Sequence, residues 1–191
     1  MNVLIVAEQF QGAVRKATLN ALSAGRELAR RTGGKLHVVA LGKGIGPVAS
    51  ELAQYGAEVH VADSAALEHP LAEAHAPVVA EVAKAVQATY VGAAATAYGK
   101  DLLPRAAARL GAGMATEVLG FGGEGASVTF RRPMWAGNVL AEVEIATPVK
   151  AFTVRATEFA PASPATLRAN STTASCKPRQ IPKKGILFVR A

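Results

Sequence analysis

The stretch Tyr90-Val-Gly-Ala-Ala-Ala-Thr-Ala-Tyr-Gly-Lys-Asp-Leu-Leu-Pro-Arg-Ala-Ala-Ala-Arg-Leu-Gly111 decides the fold class of this chain. It begins as a buried strand that ends in small residues and turns through Gly99-Lys100. It continues as a helix with Pro104 in the first turn and Arg105 directly behind it. Small residues after a strand let a neighbouring backbone or a ligand approach closely, as at the working edge of nucleotide-type α/β folds. The stretch therefore predicts a strand–turn–helix unit with a functional edge.

The residues before this stretch repeat the same alternation of strand and helix. Strands are predicted at 2–8, 36–41, 58–62 and 89–93. Helices are predicted at 13–31, after Pro47 through Tyr55, from Pro77 and at 100–110. This alternation indicates parallel pairing with right-handed crossovers. Further strands are predicted at 117–121, 127–131, 140–145 and 149–155, with turns at Gly122-Gly123 and Pro133. The predicted fold class is α/β, a mostly parallel sheet flanked by helices with an antiparallel strand extension.

Composition indicates a chain with a sizeable core. Half of the 191 residues are hydrophobic and 18% are charged, which is too apolar for a disordered chain. No apolar run approaches the roughly 18 residues of a membrane span, and the first residues read as a strand instead of a signal peptide. The single cysteine, Cys176, cannot form an internal disulfide, which fits a reducing compartment. We expect a soluble, cytoplasmic protein that does not insert into membranes.

The net charge of +7 comes mostly from residues 161–191. That segment holds six of the 21 basic residues and no acidic residue, which leaves 15 basic against 14 acidic residues elsewhere. A nucleic-acid-binding domain carries its basic patch on the folded surface, so nucleic-acid binding is not expected. Pro161-Ala-Ser-Pro-Ala-Thr166 has the composition of a linker. The sequence thus predicts a domain at 1–160 and a basic, largely disordered tail at 161–191, with an interaction role for that tail as one alternative.

Two glycine-rich segments resemble nucleotide-binding loops but lack required residues. Gly42-Lys-Gly-Ile-Gly-Pro47 begins like a dinucleotide fingerprint, yet Pro47 stands where the third glycine is needed. Between Gly92 and Gly99 lie six residues, where a phosphate loop has four, and Asp101 replaces the hydroxyl that binds magnesium. Neither segment predicts a nucleoside triphosphate or a Rossmann dinucleotide.

The sequence offers no catalytic constellation. His69 and His75, with Glu68 and Glu73 nearby, form the one metal-like cluster in the linear sequence, and we interpret it as solvated surface. No serine elbow and no cysteine–histidine pair is present in the sequence. We therefore predict no catalytic, cofactor-binding or metal-binding residues in this chain.

Arginine and tryptophan side chains carry the remaining signals. Arg105 and Arg109 lie on one face of the predicted helix, and Arg105 is expected to bind a carboxylate or carbonyls of another element, to bind a partner, or to stay solvated. Trp135 is the single tryptophan, and we interpret it as packing in the core or at an interface. Gly137 and Asn138 tolerate positive φ, which predicts a tight bend.

Five segments together carry a family resemblance. They are the strand ending in Ala7-Glu8, the turn at 92–100, Leu103-Pro-Arg-Ala-Ala107, Arg132 with Trp135-Ala-Gly-Asn138, and Phe152-Thr-Val-Arg-Ala-Thr-Glu-Phe159. In this order and spacing, residues 1 to about 160 resemble the N-terminal domain of the electron transfer flavoprotein alpha subunit. The resemblance implies an adenine nucleotide alpha hydrolase-like fold and an obligate partner, the beta subunit.

The resemblance also implies a function. The family's heterodimer uses FAD to carry electrons from acyl-CoA dehydrogenases of fatty acid β-oxidation, and from other flavin dehydrogenases, to a membrane quinone oxidoreductase. Its N-terminal domain is a scaffold that packs on the beta subunit, and a second domain supplies most FAD contacts. We find nothing similar to that second domain, so no FAD is expected on this chain alone and the chain is not expected to be an enzyme. The structural or partner-interface candidates are Gly99, Lys100, Arg105, Arg132, Trp135, Gly137, Asn138 and Arg155.

Two further hypotheses concern the chain as a whole. The change in composition after Phe159 suggests a truncated or frame-shifted alpha subunit whose tail is out of frame. Reading the downstream nucleotides in all three frames would test this hypothesis. The alternative function is a free-standing adenine-nucleotide-binding α/β protein, related in fold to universal stress proteins, because such folds can bind nucleotides through ordinary backbone loops.

Overall fold

The computed structural model describes residues 1–164, 179–180 and 187–188. In chain order the strands are β1 (Asn2–Val6), β2 (Gln9–Phe10), β3 (Ala13–Val14), β4 (Leu36–Gly42), β5 (Glu58–Asp63), β6 (Ala88–Ala94), β7 (Gly113–Val118), β8 (Gly120–Gly122), β9 (Thr129–Met134), β10 (Val139–Val143), β11 (Lys150–Val154), β12 (Arg179–Gln180) and β13 (Leu187–Phe188). The α-helices are α1 (Lys16–Thr32), α2 (Gly46–Ala53), α3 (Ala72–Ala85) and α4 (Ala97–Leu110).

A parallel sheet forms the centre of the molecule. Its six parallel strands run in the order β5-β4-β1-β6-β11-β7. Side chains alternate between the two faces, so Ile5 enters the core with α1 and α2 while Leu4 enters the core with α3 and α4. Because both faces are covered, β1 is an apolar run. The predicted α/β class, with helices on a mostly parallel sheet, is confirmed.

A small antiparallel sheet projects from the end of the parallel sheet. Strands β8, β9 and β10 form it in the order β10-β9-β8, and we call residues 120–143 the arm. The predicted antiparallel extension is therefore confirmed, but β7 and β11 belong to the parallel sheet. The predicted turn at Pro133 is wrong, because Pro133 lies in β9 opposite Leu140. Proline is tolerated there since β8 pairs with β9 only as far as Arg131, which leaves one side of Pro133 without a ladder.

Two helices begin earlier than the positions of their prolines predict. Helix α3 begins at Ala72, so Pro77 lies inside it instead of opening it. Burial of Ala72 and Ala76 on the core side outweighs the hydrogen bond that Pro77 cannot make. Helix α4 begins at Ala97, because the Thr96 side chain accepts a hydrogen bond from the first turn. Pro104 is thus in the middle of α4 and not in its first turn.

The described part of the tail extends the sheet at its other edge. Strands β12 and β13 pair antiparallel with each other, and β13 meets β5 at Asp63. The chain also stays packed just past residue 160, since Ala162 is buried and its N–H donates to the Leu19 carbonyl. The other residues of the predicted disordered tail, 165–178, 181–186 and 189–191, lie outside the described residues. The division at residue 160 stays a prediction.

Candidate functional site

The strand order reverses between β1 and β6, and open α/β sheets usually bind ligands in the crevice at this point. Glu8 follows β1 and Thr96 follows β6. The Thr96 hydroxyl donates a 2.6 Å hydrogen bond to the Glu8 carboxylate, and Arg15 pairs with the same carboxylate at 3.4 Å. We call this region the switch crevice. The hydrogen bond between Glu8 and Thr96 connects the two sides of the switch crevice. The Glu8 carboxylate would repel a phosphate.

The space left in the switch crevice is about 90 Å³. Ligand pockets begin at roughly 300 Å³. One wall is His75, which is buried with Nδ1 2.9 Å from the Tyr98 hydroxyl and Nε2 3.2 Å from the Leu67 carbonyl. Burial lowers the pKa of His75, and hydrogen bonds to carbonyls oppose that shift in part. Burial, followed by the charge of Glu8, raises the pKa of Tyr98. His75 and Tyr98 are therefore uncharged at neutral pH. The interpretation of His75 as solvated surface is wrong.

A larger cleft of about 500 Å³ lies on the other side of the α4 N-terminus. We call it the arm cleft, because the arm forms one wall and the carboxyl ends of β7 and β11 form the other. It is lined by Glu117, Arg132, residues 133–137 and Arg155. Its volume falls within the range of binding pockets, roughly 300–1,000 Å³. The arm cleft is therefore the better candidate for a site.

Glu117 is the acidic centre of the arm cleft. Lys100 from α4 forms an ion pair with it, and Arg155 Nε lies 3.2 Å from its Oε2. Burial alone would raise the pKa of Glu117, but the hydrogen bonds and charges of Lys100 and Arg155 outweigh burial and lower that pKa. The backbone of Glu117 has a φ of 56°, and its N–H donates to the Thr153 hydroxyl at 3.0 Å. A non-glycine residue held in this conformation costs about 1–3 kcal/mol, and such strain clusters at functional sites.

Arg132 brings a second cation into the arm cleft. Its Nη2 donates a 2.9 Å hydrogen bond to the Thr116 hydroxyl of β7. Its Nε is buried without a hydrogen-bond partner among the described residues. A buried donor without a partner is costly, and such groups call for a partner that completes them. The cleft thus offers donor capacity to an incoming acceptor.

The turn at the tip of the arm exposes an apolar side chain under backbone strain. Trp135 and Ala136 have φ values of 49° and 55°, followed by Gly137 at 90°. The predicted bend at Gly137 and Asn138 is therefore confirmed, although only Gly137 of these two has a positive φ, since Asn138 is right-handed at −71°. The Trp135 side chain is 79% exposed, which excludes the core packing that we considered for it. Packing at an interface stays a prediction.

The exposed apolar surface continues along the hairpin. Seven large hydrophobic residues are exposed in the described part of the chain, and four of them belong to the arm. These four are Met134, Trp135, Val139 and Leu140. Several exposed apolar residues on one hairpin, as opposed to single residues scattered over the surface, indicate an interaction surface. Within the described residues β10 is also the outer strand of its sheet, with backbone groups available for pairing.

The opposite end of the arm is fixed by aromatic packing. Phe121 and Phe130 are buried and lie with ring centroids 5.8 Å apart. Each also contacts Phe152 of β11, at 5.7 and 5.8 Å, and Phe121 contacts Phe159 at 6.0 Å. Aromatic pairs at these separations stabilise beyond the burial of their area. Aromatic packing therefore attaches the arm to the parallel sheet at the end opposite its tip.

The structure brings most of the predicted candidates to the arm cleft. Lys100, Arg132, Trp135, Gly137 and Arg155 line it or bind its acidic centre. Gly99 lies beside Lys100 in the first turn of α4, where a Cβ atom would overlap the Ala94 carbonyl oxygen. Asn138 follows the turn as an exposed residue.

Arg105 lies apart from the other candidates. Its Nη1 is 3.0 Å from the Glu73 carboxylate of α3, and its Nε is 3.3 Å from Asp101. It lines a separate groove between α3 and α4. Arg105 was expected to bind a carboxylate or carbonyls of another element, to bind a partner, or to stay solvated. The structure shows the first of these, because Arg105 binds the Glu73 carboxylate of α3.

Glu117 was missed in the sequence, although it organises the arm cleft. Nothing in the linear sequence links it to Lys100 or Arg155, because β11 enters the sheet beside β7 only in the folded chain. The linear sequence therefore carries no signal that could have found this residue. Among the residues around His69, which we interpreted as solvated surface, Glu68 is exposed and pairs with Lys43 at 2.9 Å, whereas His75 points inward.

The class that this fold and site define is a doubly wound α/β domain with a sealed switch crevice and an open cleft beside a projecting arm. The chain belongs to the electron transfer flavoprotein domain family, whose family model matches residues 3–180. It is 40% identical over 162 residues to the electron transfer flavoprotein subunit alpha of Pseudomonas aeruginosa, covering 83% of this chain and 49% of that protein.

Similar relatives come from distant organisms. The electron transfer flavoprotein subunit alpha of Megasphaera elsdenii is 32% identical, covering 74% of this chain and 43% of that protein. A probable mitochondrial electron transfer flavoprotein subunit alpha of Caenorhabditis elegans is 31% identical, covering 84% of this chain and 47% of that protein. The chain spans about half the length of the curated relatives that it matches.

Across the described residues, none of the helices combines the length and the apolar character needed to cross a bilayer.

Proposed function

We propose that this chain is the N-terminal scaffold of an electron transfer flavoprotein alpha subunit. In this role it binds the beta subunit, and the complex uses FAD to carry electrons from acyl-CoA and other flavin dehydrogenases to a membrane quinone oxidoreductase. The chain itself is a binding module in a cytoplasmic electron carrier and not a stand-alone enzyme. Support comes from the alpha-subunit relatives and from one structural observation, the exposed apolar tip of the arm beside a cationic cleft.

The arm supports a docking role because its exposed apolar side chains would gain free energy when a partner covers them. Trp135 and Leu140 are 79% and 63% exposed, and both lie on a hairpin fixed at its base by aromatic packing. A rigid, exposed tryptophan loses little conformational entropy on binding, and such residues dominate the free energy of association. Arg132 adds a buried donor that a partner's carbonyl or carboxylate could accept from.

The alternative, a free-standing adenine-nucleotide-binding protein, has weaker support. Its site would be the switch crevice, which is about 90 Å³ in volume and carries the Glu8 carboxylate. A nucleotide would have to break the Glu8–Thr96 hydrogen bond and approach a negative charge. This hypothesis therefore requires a conformational opening that the scaffold hypothesis does not require.

Titration of the purified chain with a matching beta subunit, in the presence and absence of FAD, tests the proposal. We expect a one-to-one complex and little FAD bound to the chain alone. The variants Trp135→Ala and Leu140→Ser should each weaken association by about 2 kcal/mol, which is roughly thirtyfold. Phe10→Ala is the matched control, because Phe10 is 60% exposed but lies away from the arm.

Three outcomes would refute the proposal. They are tight FAD uptake by the chain without a partner, specific ATP binding by the chain alone, and no association with the beta subunit. Equal affinity of the Trp135→Ala variant and the Phe10→Ala control would refute the arm as the docking surface while leaving the scaffold role standing.

A further inference from the structure

Two histidines and a glutamate meet near the amino ends of β4 and β5. The two strands are parallel, with His37 opposite Glu58 and Val39 opposite His60. Side chains alternate along a strand, so His37 shares a face with Val39, and Glu58 shares one with His60. The strand pairing therefore places all three polar side chains on the sheet face that packs against α3.

The three side chains approach each other at the spacing of metal ligands. His37 Nδ1 lies 3.1 Å from His60 Nε2 and 3.5 Å from Glu58 Oε2. All three ligand atoms lie within 4.8 Å of one another. A tetrahedral zinc ion with bonds of about 2.0–2.1 Å sets its ligand atoms about 3.3 Å apart. The separations of 3.1 and 3.5 Å lie on either side of this value, so only small movements would bring His37 to ligand spacing with the other two groups.

The chemistry of the three groups also favours a cation. A proton on His37 Nδ1 can be shared with the His60 nitrogen or with the Glu58 carboxylate, but it cannot satisfy both at full strength. A divalent ion accepts an electron pair from all three groups at once. Two imidazoles and one carboxylate are a common ligand set for zinc and related transition metals.

The surroundings suit a site with one fixed ligand and one accessible side. His37 is 5% exposed, whereas Glu58 and His60 are half-buried. Lys35 Nζ lies 3.6 Å from Oε1 of Glu58, whereas the 3.5 Å contact with His37 is made by Oε2. Lys35 itself is largely exposed and can turn towards solvent. A water molecule could then complete the coordination from the accessible side.

We propose that His37, Glu58 and His60 form a binding site for a divalent transition metal of the zinc class. The ion ties β4 to β5 at the amino end of the sheet, whereas the arm cleft lies at the carboxyl end. The site is therefore independent of the surface proposed for the beta subunit. Because the folded chain gathers the ligands and an unfolded chain does not, the ion raises the free energy of unfolding.

Isothermal titration of the full chain with Zn²⁺, followed by thermal unfolding, tests this site. The experiment uses a Cys176→Ser background, because a thiol is itself a zinc ligand. We expect one Zn²⁺ per chain and a higher melting temperature when the ion is present. His60→Gln and Glu58→Gln should each weaken Zn²⁺ binding at least tenfold, while their circular dichroism stays unchanged. Co²⁺ should bind competitively and give the visible absorption of a tetrahedral complex.

His69→Gln is the matched control, since His69 is exposed and lies outside the cluster. Its Zn²⁺ affinity should equal that of the parent chain. The proposal is overturned if the parent chain shows no one-to-one binding, or if His60→Gln binds Zn²⁺ as tightly as His69→Gln does. Either result would leave a hydrogen-bonded histidine pair. Binding of the beta subunit should be the same in all these variants, so the two proposals can fail separately.

Discussion

Two glutamates stand on either side of the α4 N-terminus, and they have opposite consequences. Glu8, in the switch crevice, accepts a hydrogen bond from Thr96 and pairs with Arg15. Glu117, in the arm cleft, pairs with Lys100 and Arg155. Each is a carboxylate bound by groups from other elements at the same edge of the sheet. One region is nevertheless sealed and the other is open.

The difference lies in what surrounds each carboxylate. Around Glu8, the buried His75 and the partly buried Tyr98 fill the space and leave about 90 Å³. Around Glu117, the arm stands away from the sheet and leaves about 500 Å³. In this chain the crevice that usually binds ligands in this fold is instead occupied by side chains that connect β1 to α4. Capacity for binding is found instead at a neighbouring place, where an inserted sheet adds an apolar tip.

Gly99→Ala is expected to have the largest effect, because α4 supports both regions. A Cβ atom on Gly99 would overlap the Ala94 carbonyl oxygen, which belongs to rigid backbone. We expect the free energy of unfolding to fall by about 3 kcal/mol, measured by urea denaturation. Gly46→Ala is the control, since that helical glycine has open space around it and should change stability little. If Gly99→Ala lowers the free energy of unfolding no more than Gly46→Ala does, the α4 N-terminus is not tightly packed.

Thr96→Val tests the sealed side of the comparison. The substitution removes the hydrogen bond to Glu8 and the cap that accepts from the Gly99 N–H at 3.1 Å. We expect the free energy of unfolding, measured by thermal denaturation, to fall by about 1–2 kcal/mol. Thr96→Ser keeps the hydroxyl and should retain most of the stability. If both variants lose the same amount, the methyl group and not the hydroxyl connects the two sides.

Glu117→Gln tests the ion pairs of the arm cleft. The stability that this variant loses relative to the parent chain should depend on pH. The folded pKa of Glu117 lies below the ordinary value of 4.5, so its ion pairs stabilise the chain above that pH and are lost as the pH falls through the folded pKa. We expect a loss of about 1 kcal/mol at neutral pH for this partly exposed group. The difference from the parent chain should shrink towards zero in acid.

Denaturant titrations of Glu117→Gln at several pH values would measure this window. Glu124→Gln is the control, because Glu124 is an exposed glutamate outside the cleft. A loss for Glu117→Gln that stays constant down to acidic pH would contradict the role given to Lys100 and Arg155.

Trp135→Ala should have the smallest effect on stability. The side chain is 79% exposed, so its removal should change the free energy of unfolding by less than about 0.5 kcal/mol. Phe10→Ala, beside the switch crevice, should behave alike in thermal unfolding. The two variants should then differ only in affinity for the beta subunit. A large loss of stability for Trp135→Ala would mean that the tryptophan supports the arm.

Local sequence patterns predicted the elements well, and the reasons for their failures are physical. The parallel sheet follows from apolar runs that alternate with amphipathic helices. The starts of α3 and α4 were misplaced, because proline was given more weight than the burial of Ala72 and the cap at Thr96. Local patterns contain no information on which strands become neighbours, so the entry of β11 beside β7 could not be foreseen.

The candidate site was predictable only through the order of several motifs. Lys100, Arg132 and Arg155 came from the family resemblance, and the structure brings them to one cleft. Glu117 completes that cleft through pairing between distant strands, which no spacing rule anticipates. The group of His37, Glu58 and His60 was missed for the same reason, since its members meet only after β4 and β5 pair in register.

The position of β11 has a consequence for biosynthesis. Although β11 is the last of the six parallel strands in the chain, it lies between β6 and β7, which were made earlier. A nascent polypeptide that has not yet released residue 154 from the ribosome therefore has two strands without their shared neighbour. The unpaired edge of β6 would then invite association with other chains. Fast translation through the arm, or early engagement of a chaperone with this edge, should accordingly raise the yield of correctly assembled protein.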